Sequence, residues 1–140
     1  MKQISLLIKP ASSLCNMHCA YCFYEDVSAN REKASMGIMN EETMKALIDK
    51  TLALDVEQVN YCFQGGEPTV VGIAYFKRFI SYVNETKQNK TITYAIQTNG
   101  LALDDEWIDL FKTHTFLVGV SLDGMLSNHN RVRKDRQANG

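Results

Sequence analysis

The feature that most constrains this chain is an alternation. Four short apolar runs, Ile4 to Ile8, Val59 to Phe63, Thr91 to Gln97 and Phe116 to Ser121, are each stopped by a polar or glycine-containing cluster. Runs of this length, rich in β-branched and aromatic residues, predict strands. The first is nearly continuous, as a buried parallel strand would be. Between the runs the period becomes helical. Asn40 is a good N-cap, Glu41 and Glu42 suit the positive end of a helix dipole, and Met44, Leu47, Ile48, Thr51 and Leu52 recur on one face. A second helix is predicted from about Ile73 to Glu85, with Phe76, Phe79, Ile80 and Val83 facing the core. A third opens at Asp104-Asp105-Glu106 and buries Trp107, Leu110 and Phe111. Glu25 to Ser35 has no period and reads as a loop. Strands alternating with helices make βαβ units, so the fold class is α/β with a parallel sheet.

The 140 residues match one ordinary domain, and 45% hydrophobic content suffices for a core. No repeat or linker divides residues 1–140. Fifteen basic against 16 acidic residues leave a net charge of -1, so there is no electrostatic case for nucleic acid or an anionic membrane. No stretch approaches the ~18 apolar residues of a membrane span. The apolar run at the N-terminus is too short for a secretion signal and is interrupted by Lys9-Pro10. A cytoplasmic location is expected.

The clusters that end the strands are unusual. Cysteines follow the first, Gln64-Gly65-Gly66-Glu67-Pro68 the second, Thr98-Asn99-Gly100 the third and Ser121-Leu122-Asp123-Gly124 the fourth. In parallel α/β folds the loops at the carboxyl ends of strands build the site, so these four converge on one edge. Cys15, Cys19 and Cys22 form a C-x3-C-x2-C loop whose soft thiolates suit an iron–sulfur cluster or zinc. Three sulfurs are one short of a closed site and leave a position open. A zinc knuckle completed by His18 or a distant residue is the plain alternative. Cys62, inside a predicted strand, reads as a small buried hydrophobe, and His114 and His129 have no partner at metal spacing. Alone, the GGEP cluster reads as a turn, and Arg133, within the basic run Arg131 to Arg136, as surface charge.

CNMHCAYCF resembles the cluster motif of the radical S-adenosylmethionine (SAM) superfamily. Together with FQGGEPT, QTNG and VGVSLDG, and with His129 and Arg133 after them, the chain is similar to the anaerobic sulfatase-maturating enzymes along its whole length. The resemblance implies an oxidoreductase fold that is roughly the first half of a partial (β/α)6 barrel. It implies a 4Fe–4S cluster on Cys15, Cys19 and Cys22, with SAM on the remaining iron. Reductive cleavage of SAM would yield a 5′-deoxyadenosyl radical that oxidises a sulfatase cysteine or serine to Cα-formylglycine.

By the same resemblance Tyr21 is a contact on the adenine side, Gly66 meets the methionine moiety, Ser121 is a polar contact and Arg133 partners the carboxylate of SAM. Glu67 is expected to organise an ammonium or the turn itself. Gln64, Gln97 and Asn99 become candidate contacts to the sulfatase polypeptide, and flavodoxin or ferredoxin the electron donor. Family members are far longer, so the chain is expected to be the N-terminal portion of the core domain. The other half-barrel, the auxiliary-cluster domain and the base that deprotonates substrate have no counterpart in it. The rival readings are another radical SAM peptide maturase, forming a thioether or cross-link, and a noncatalytic cluster- or SAM-binding fragment.

Overall fold

The computed structural model describes residues 2–140. In chain order it runs β1 (Gln3–Ile8), α1 (Phe23–Ala29), α2 (Glu41–Leu52), β2 (Gln58–Phe63), a 3-10 turn (Pro68–Val71), α3 (Ile73–Thr86), β3 (Thr91–Thr98), α4 (Asp105–Thr113), β4 (Leu117–Val120) and α5 (Leu126–Val132). The four strands lie side by side in sequence order and all pair in parallel, with Leu6 opposite Tyr61 and Tyr61 opposite Tyr94. Parallel neighbours joined by right-handed crossovers place their helices on the same face of the sheet. The expected α/β architecture is present.

Helix starts follow the sequence signals. The Asn40 side chain accepts from Thr43 N at 2.8 Å to cap α2, and Asp104 accepts from Trp107 N at 3.1 Å to cap α4. The covered sheet face holds Val59, Tyr61 and Phe63 from β2, with Tyr61 and Phe63 against Phe76 and Phe79 of α3, and Trp107 of α4 packs in turn on Phe76. Aromatic pairs dominate this core: Phe63 meets Phe79 edge-on at 5.1 Å, and Tyr94 stacks on Phe116 at 5.0 Å.

Two expectations fail on the opposite face. The first strand is covered on one side only, since Leu7 is 70% exposed. Cys62 is half-buried on that same open face, beside Leu7, Ala95 and Leu117, and not in the core. The reason is strand alternation: Val59, Tyr61 and Phe63 take the helix side, so Cys62 must point away. Two short helices were not expected from sequence: α1 stands where Glu25 to Ser35 read as a loop, and α5 in a stretch given no element. Neither buries a residue, so neither had an apolar period to reveal it. Among the described residues no helix is long and apolar enough to cross a membrane.

Among the described residues the buried hydroxyls of Tyr75 and Tyr94 have no hydrogen-bond partner, whereas Tyr61 shares one with Thr51 at 2.7 Å. Burial pushes the Tyr75 phenol up to about 12 and Tyr94 higher still. The fold therefore favours the neutral phenols. That stabilisation is whole below the ordinary phenol value of about 10 and is lost as pH rises through the raised ones. Denaturant midpoints are expected to fall progressively above pH ~10, and less steeply in Tyr94→Phe. Equal slopes for the two proteins would contradict this.

Candidate functional site

The cysteine loop leaves β1 through Pro10 and Ala11, both buried, and is held by Ser12 N donating to Lys9 O and Leu14 N to Ala11 O. Against it packs the turn after β2. Gly66 has φ +54°, and a Cβ there would sit 2.2 Å from Leu14 O. Only glycine tolerates both the backbone conformation and the approach. Gly66→Ala is therefore expected to push the cysteine loop away and lower iron–sulfur loading several-fold. Loading equal to wild type after anaerobic reconstitution would contradict the point.

Glu67 is 2% exposed and turns inward. Its Oε1 accepts from Thr69 N, from Thr69 Oγ1 at 2.8 Å and from Thr98 Oγ1 at 2.7 Å; its Oε2 accepts from Asn99 N at 2.7 Å. Of its two expected roles it takes the second, organising the turn. Its reach extends to the end of β3, so one carboxylate ties two of the four clusters together.

Asn99 passes that link to the cysteines. Its Nδ2 donates to Asn16 Oδ1 at 2.8 Å and lies 3.8 Å from Cys15 Sγ, while its Oδ1 accepts from Leu101 N. Gln97 donates through Nε2 to Ser121 Oγ at 2.9 Å, and its side chain lies across Gly119, where a Cβ would meet Gln97 Oε1 at 2.2 Å.

Asp123 organises the last cluster. It accepts from Arg133 Nε and from the Tyr21 hydroxyl at 2.6 Å, and the Arg133 guanidinium sits 5.4 Å from the Tyr21 ring centre. Arg133 Nη1 also reaches Cys19 Sγ at 3.7 Å. With its side chain only 12% exposed, Arg133 is not a solvated surface charge. The Tyr21 hydrogen bond and Arg133 hold the Asp123 carboxyl below the usual range. Local desolvation of the hydroxyl, then the same hydrogen bond, raise Tyr21 to about 12.

Burial also pushes the Cys15 and Cys19 thiols up, opposed by the Met17 amide at Cys15 and by Arg133 at Cys19. Donors thus already face two of the three sulfurs, an arrangement that suits thiolate ligands. His18, the alternative fourth zinc ligand, is engaged at both ring nitrogens, by Glu25 and by Arg136. Among the described residues no three His, Cys, Asp or Glu side chains gather around a point fit for one metal ion.

The ten residues expected to hold the cluster, SAM or the peptide all line one cavity of about 240 Å3: Cys15, Cys19, Tyr21, Cys22, Gln64, Gly66, Gln97, Asn99, Ser121 and Arg133. Asp123, Asn16 and Arg136 were not assigned roles from sequence. Asp123 had a signal in the SLDG cluster, and His129, whose Nδ1 accepts from Asp123 N at 3.4 Å, supports it from behind. Arg136 had none beyond its place in a basic run.

The family model of the radical SAM superfamily matches residues 10–139. A cysteine-type anaerobic sulfatase-maturating enzyme of Clostridium novyi is 42% identical over all of this chain and 38% of its own length. A serine-type enzyme of Bacteroides thetaiotaomicron is 30% identical over 96% of the chain and 33% of its own. Among solved structures, native anSMEcpe with bound AdoMet and Cp18Cys peptide superposes with TM-score 0.88 at 37% identity, covering 97% of this chain and 36% of that one. The chain spans about a third of the length of these relatives, 33% to 38%.

Proposed function

Because the chain belongs to the radical SAM superfamily, we propose that Cys15, Cys19 and Cys22 hold a 4Fe–4S cluster beside a SAM site, as the cofactor-binding part of an anaerobic sulfatase-maturating enzyme. The observation that carries this is the shared cavity, which gathers residues from four strand ends around three thiols. The donor set fits: it is all sulfur, it is faced by N–H donors, and Cys62 stands apart on the open sheet face, so no fourth cysteine closes it. Bound together, cluster and SAM supply one-electron chemistry able to take hydrogen from an unactivated carbon.

The protein's own residues bind and orient. In this reading Arg133 offers its planar fork to the SAM carboxylate while Asp123 fixes its orientation through Nε. Tyr21 flanks the adenine and is held at its hydroxyl by the same Asp123. Gly66 gives the methionine moiety close access to backbone, and Ser121, positioned by Gln97, offers a hydroxyl. Gln64 and Gln97 face the peptide. The Asn99 amide is taken up by Asn16, Cys15 and Leu101, so its part is to steady the cysteine loop.

The substrate in this reading is a sulfatase polypeptide whose cysteine is oxidised to Cα-formylglycine, with flavodoxin or ferredoxin supplying electrons. Greater identity to the cysteine-type than to the serine-type relative favours cysteine. The test is anaerobic incubation of reconstituted protein with reduced flavodoxin, SAM and a cysteine-containing sulfatase peptide. Release of 5′-deoxyadenosine is the expected result, and a peptide lightened by conversion to formylglycine would carry the substrate assignment as well. A reconstituted protein that binds no cluster, or that binds one and leaves SAM intact, overturns the reading.

A further inference from the structure

The cysteine loop is closed from outside by the segment that follows α5. His18 N donates to Lys134 O at 2.7 Å, Ala20 N donates to Val132 O at 2.8 Å, and Met17 forms an antiparallel bridge with Asp135. These contacts make a short ribbon from residues 17–20 and 132–135. Arg136 finishes it. Its Nε and Nη2 both donate to the Cys15 carbonyl, at 2.9 and 2.6 Å, and its Nη1 is 2.7 Å from His18 Nε2. His18 Nδ1 in turn meets Glu25 on α1. One guanidinium thus joins the carbonyl of the first cysteine to the residue just before the second.

The loop needs such a tie. The helix that follows it, α1, buries no residue, and Tyr21 and Phe23 are 54% and 61% exposed. Apolar packing therefore contributes little to holding the segment that carries Cys19 and Cys22, and polar contacts must define it. A forked guanidinium on one carbonyl fixes direction as well as distance, which a lysine ammonium cannot reproduce.

We propose that Arg136 is a positioning residue for the metal centre: it locks the Cys15-to-Cys19 turn so that the thiolates are presented together, and so slows loss of the cluster. This rests on the reading of the three cysteines as cluster ligands. Arg136 itself is exposed and outside the apolar core, so its replacement tests the loop and not the fold.

The experiment compares wild type, Arg136→Ala and Arg136→Lys by three measurements: amide hydrogen exchange at His18 and Ala20 without cluster, iron loss to a chelator after reconstitution, and thermal midpoint. In Arg136→Ala, exchange at those two amides and iron loss are each expected to be about tenfold faster, the size of one charge-assisted hydrogen bond. Arg136→Lys should fall between, with the thermal midpoint unchanged in both. Unchanged iron loss overturns the proposal, and so does a uniform rise in exchange with a falling midpoint, which marks a general structural role. A wild-type protein that takes up no cluster overturns the cluster reading instead, while exchange at His18 and Ala20 still decides whether Arg136 holds the loop.

Discussion

Replacing Cys15, Cys19 or Cys22 with Ala is expected to abolish the 4Fe–4S spectrum of the anaerobically reconstituted protein while leaving its secondary structure intact. None of the three thiols belongs to the apolar core, and all lie in the loop beyond β1 or at the start of α1. Their loss therefore costs little packing. With three sulfurs already one fewer than most clusters have, removing another leaves two ligands and no stable site. Cys62→Ala is the control. Its side chain lies on the open face of the sheet, so it should reconstitute like wild type. Visible absorption and iron and sulfide content measure the outcome. A full spectrum in any of the three loop variants contradicts the ligand assignment.

The second large effect belongs to Glu67. Glu67→Ala is expected to destabilise the fold by about 3 kcal/mol or more, because hydrogen bonds to a buried carboxylate are strong and their donors would be left unpaired. Thr69 and Thr98 are 4% and 1% exposed, so water cannot readily replace the carboxylate. A loss of that size lowers the thermal midpoint by roughly 10 °C in a domain of this length. Glu67→Gln is not a mild change either. The two carboxylate oxygens accept four hydrogen bonds, and an amide NH2 in place of one of them would face a donor. Thermal unfolding of both variants is the measurement. A midpoint within a degree or two of wild type would show that the link between the turn after β2 and the end of β3 is dispensable.

The sequence carried the frame of the site because parallel βαβ order dictates where strand-ending loops must meet. Cys15, Gly66, Asn99 and Ser121 could be assigned to one rim from their positions after strands, and the four-stranded parallel sheet brings them there. The ties between the loops were less legible. Arg133 reaches Cys19 across 114 residues and Arg136 reaches the Cys15 carbonyl across 121, and no local period encodes such a contact. Asn99 shows the same limit: the motif placed it correctly, but only the side-chain geometry turns its amide toward Asn16. The short helices α1 and α5 escaped for a different reason. Helical periodicity is a record of burial, and neither helix buries a face. Cys62 marks the opposite error, where an apolar neighbourhood in sequence concealed an alternation that sends every second residue to the open face.

In the proposed function the three cysteines and the strand-end residues form one cofactor site, with the cluster open to SAM. Electron paramagnetic resonance of the reduced, reconstituted protein, recorded with and without SAM, reads that site itself. The expected result is a reduced 4Fe–4S signal that changes in shape when SAM is added, with the change weakened in Arg133→Ala. A signal indifferent to saturating SAM would contradict a shared site, and no cluster signal at all would contradict the assignment of Cys15, Cys19 and Cys22.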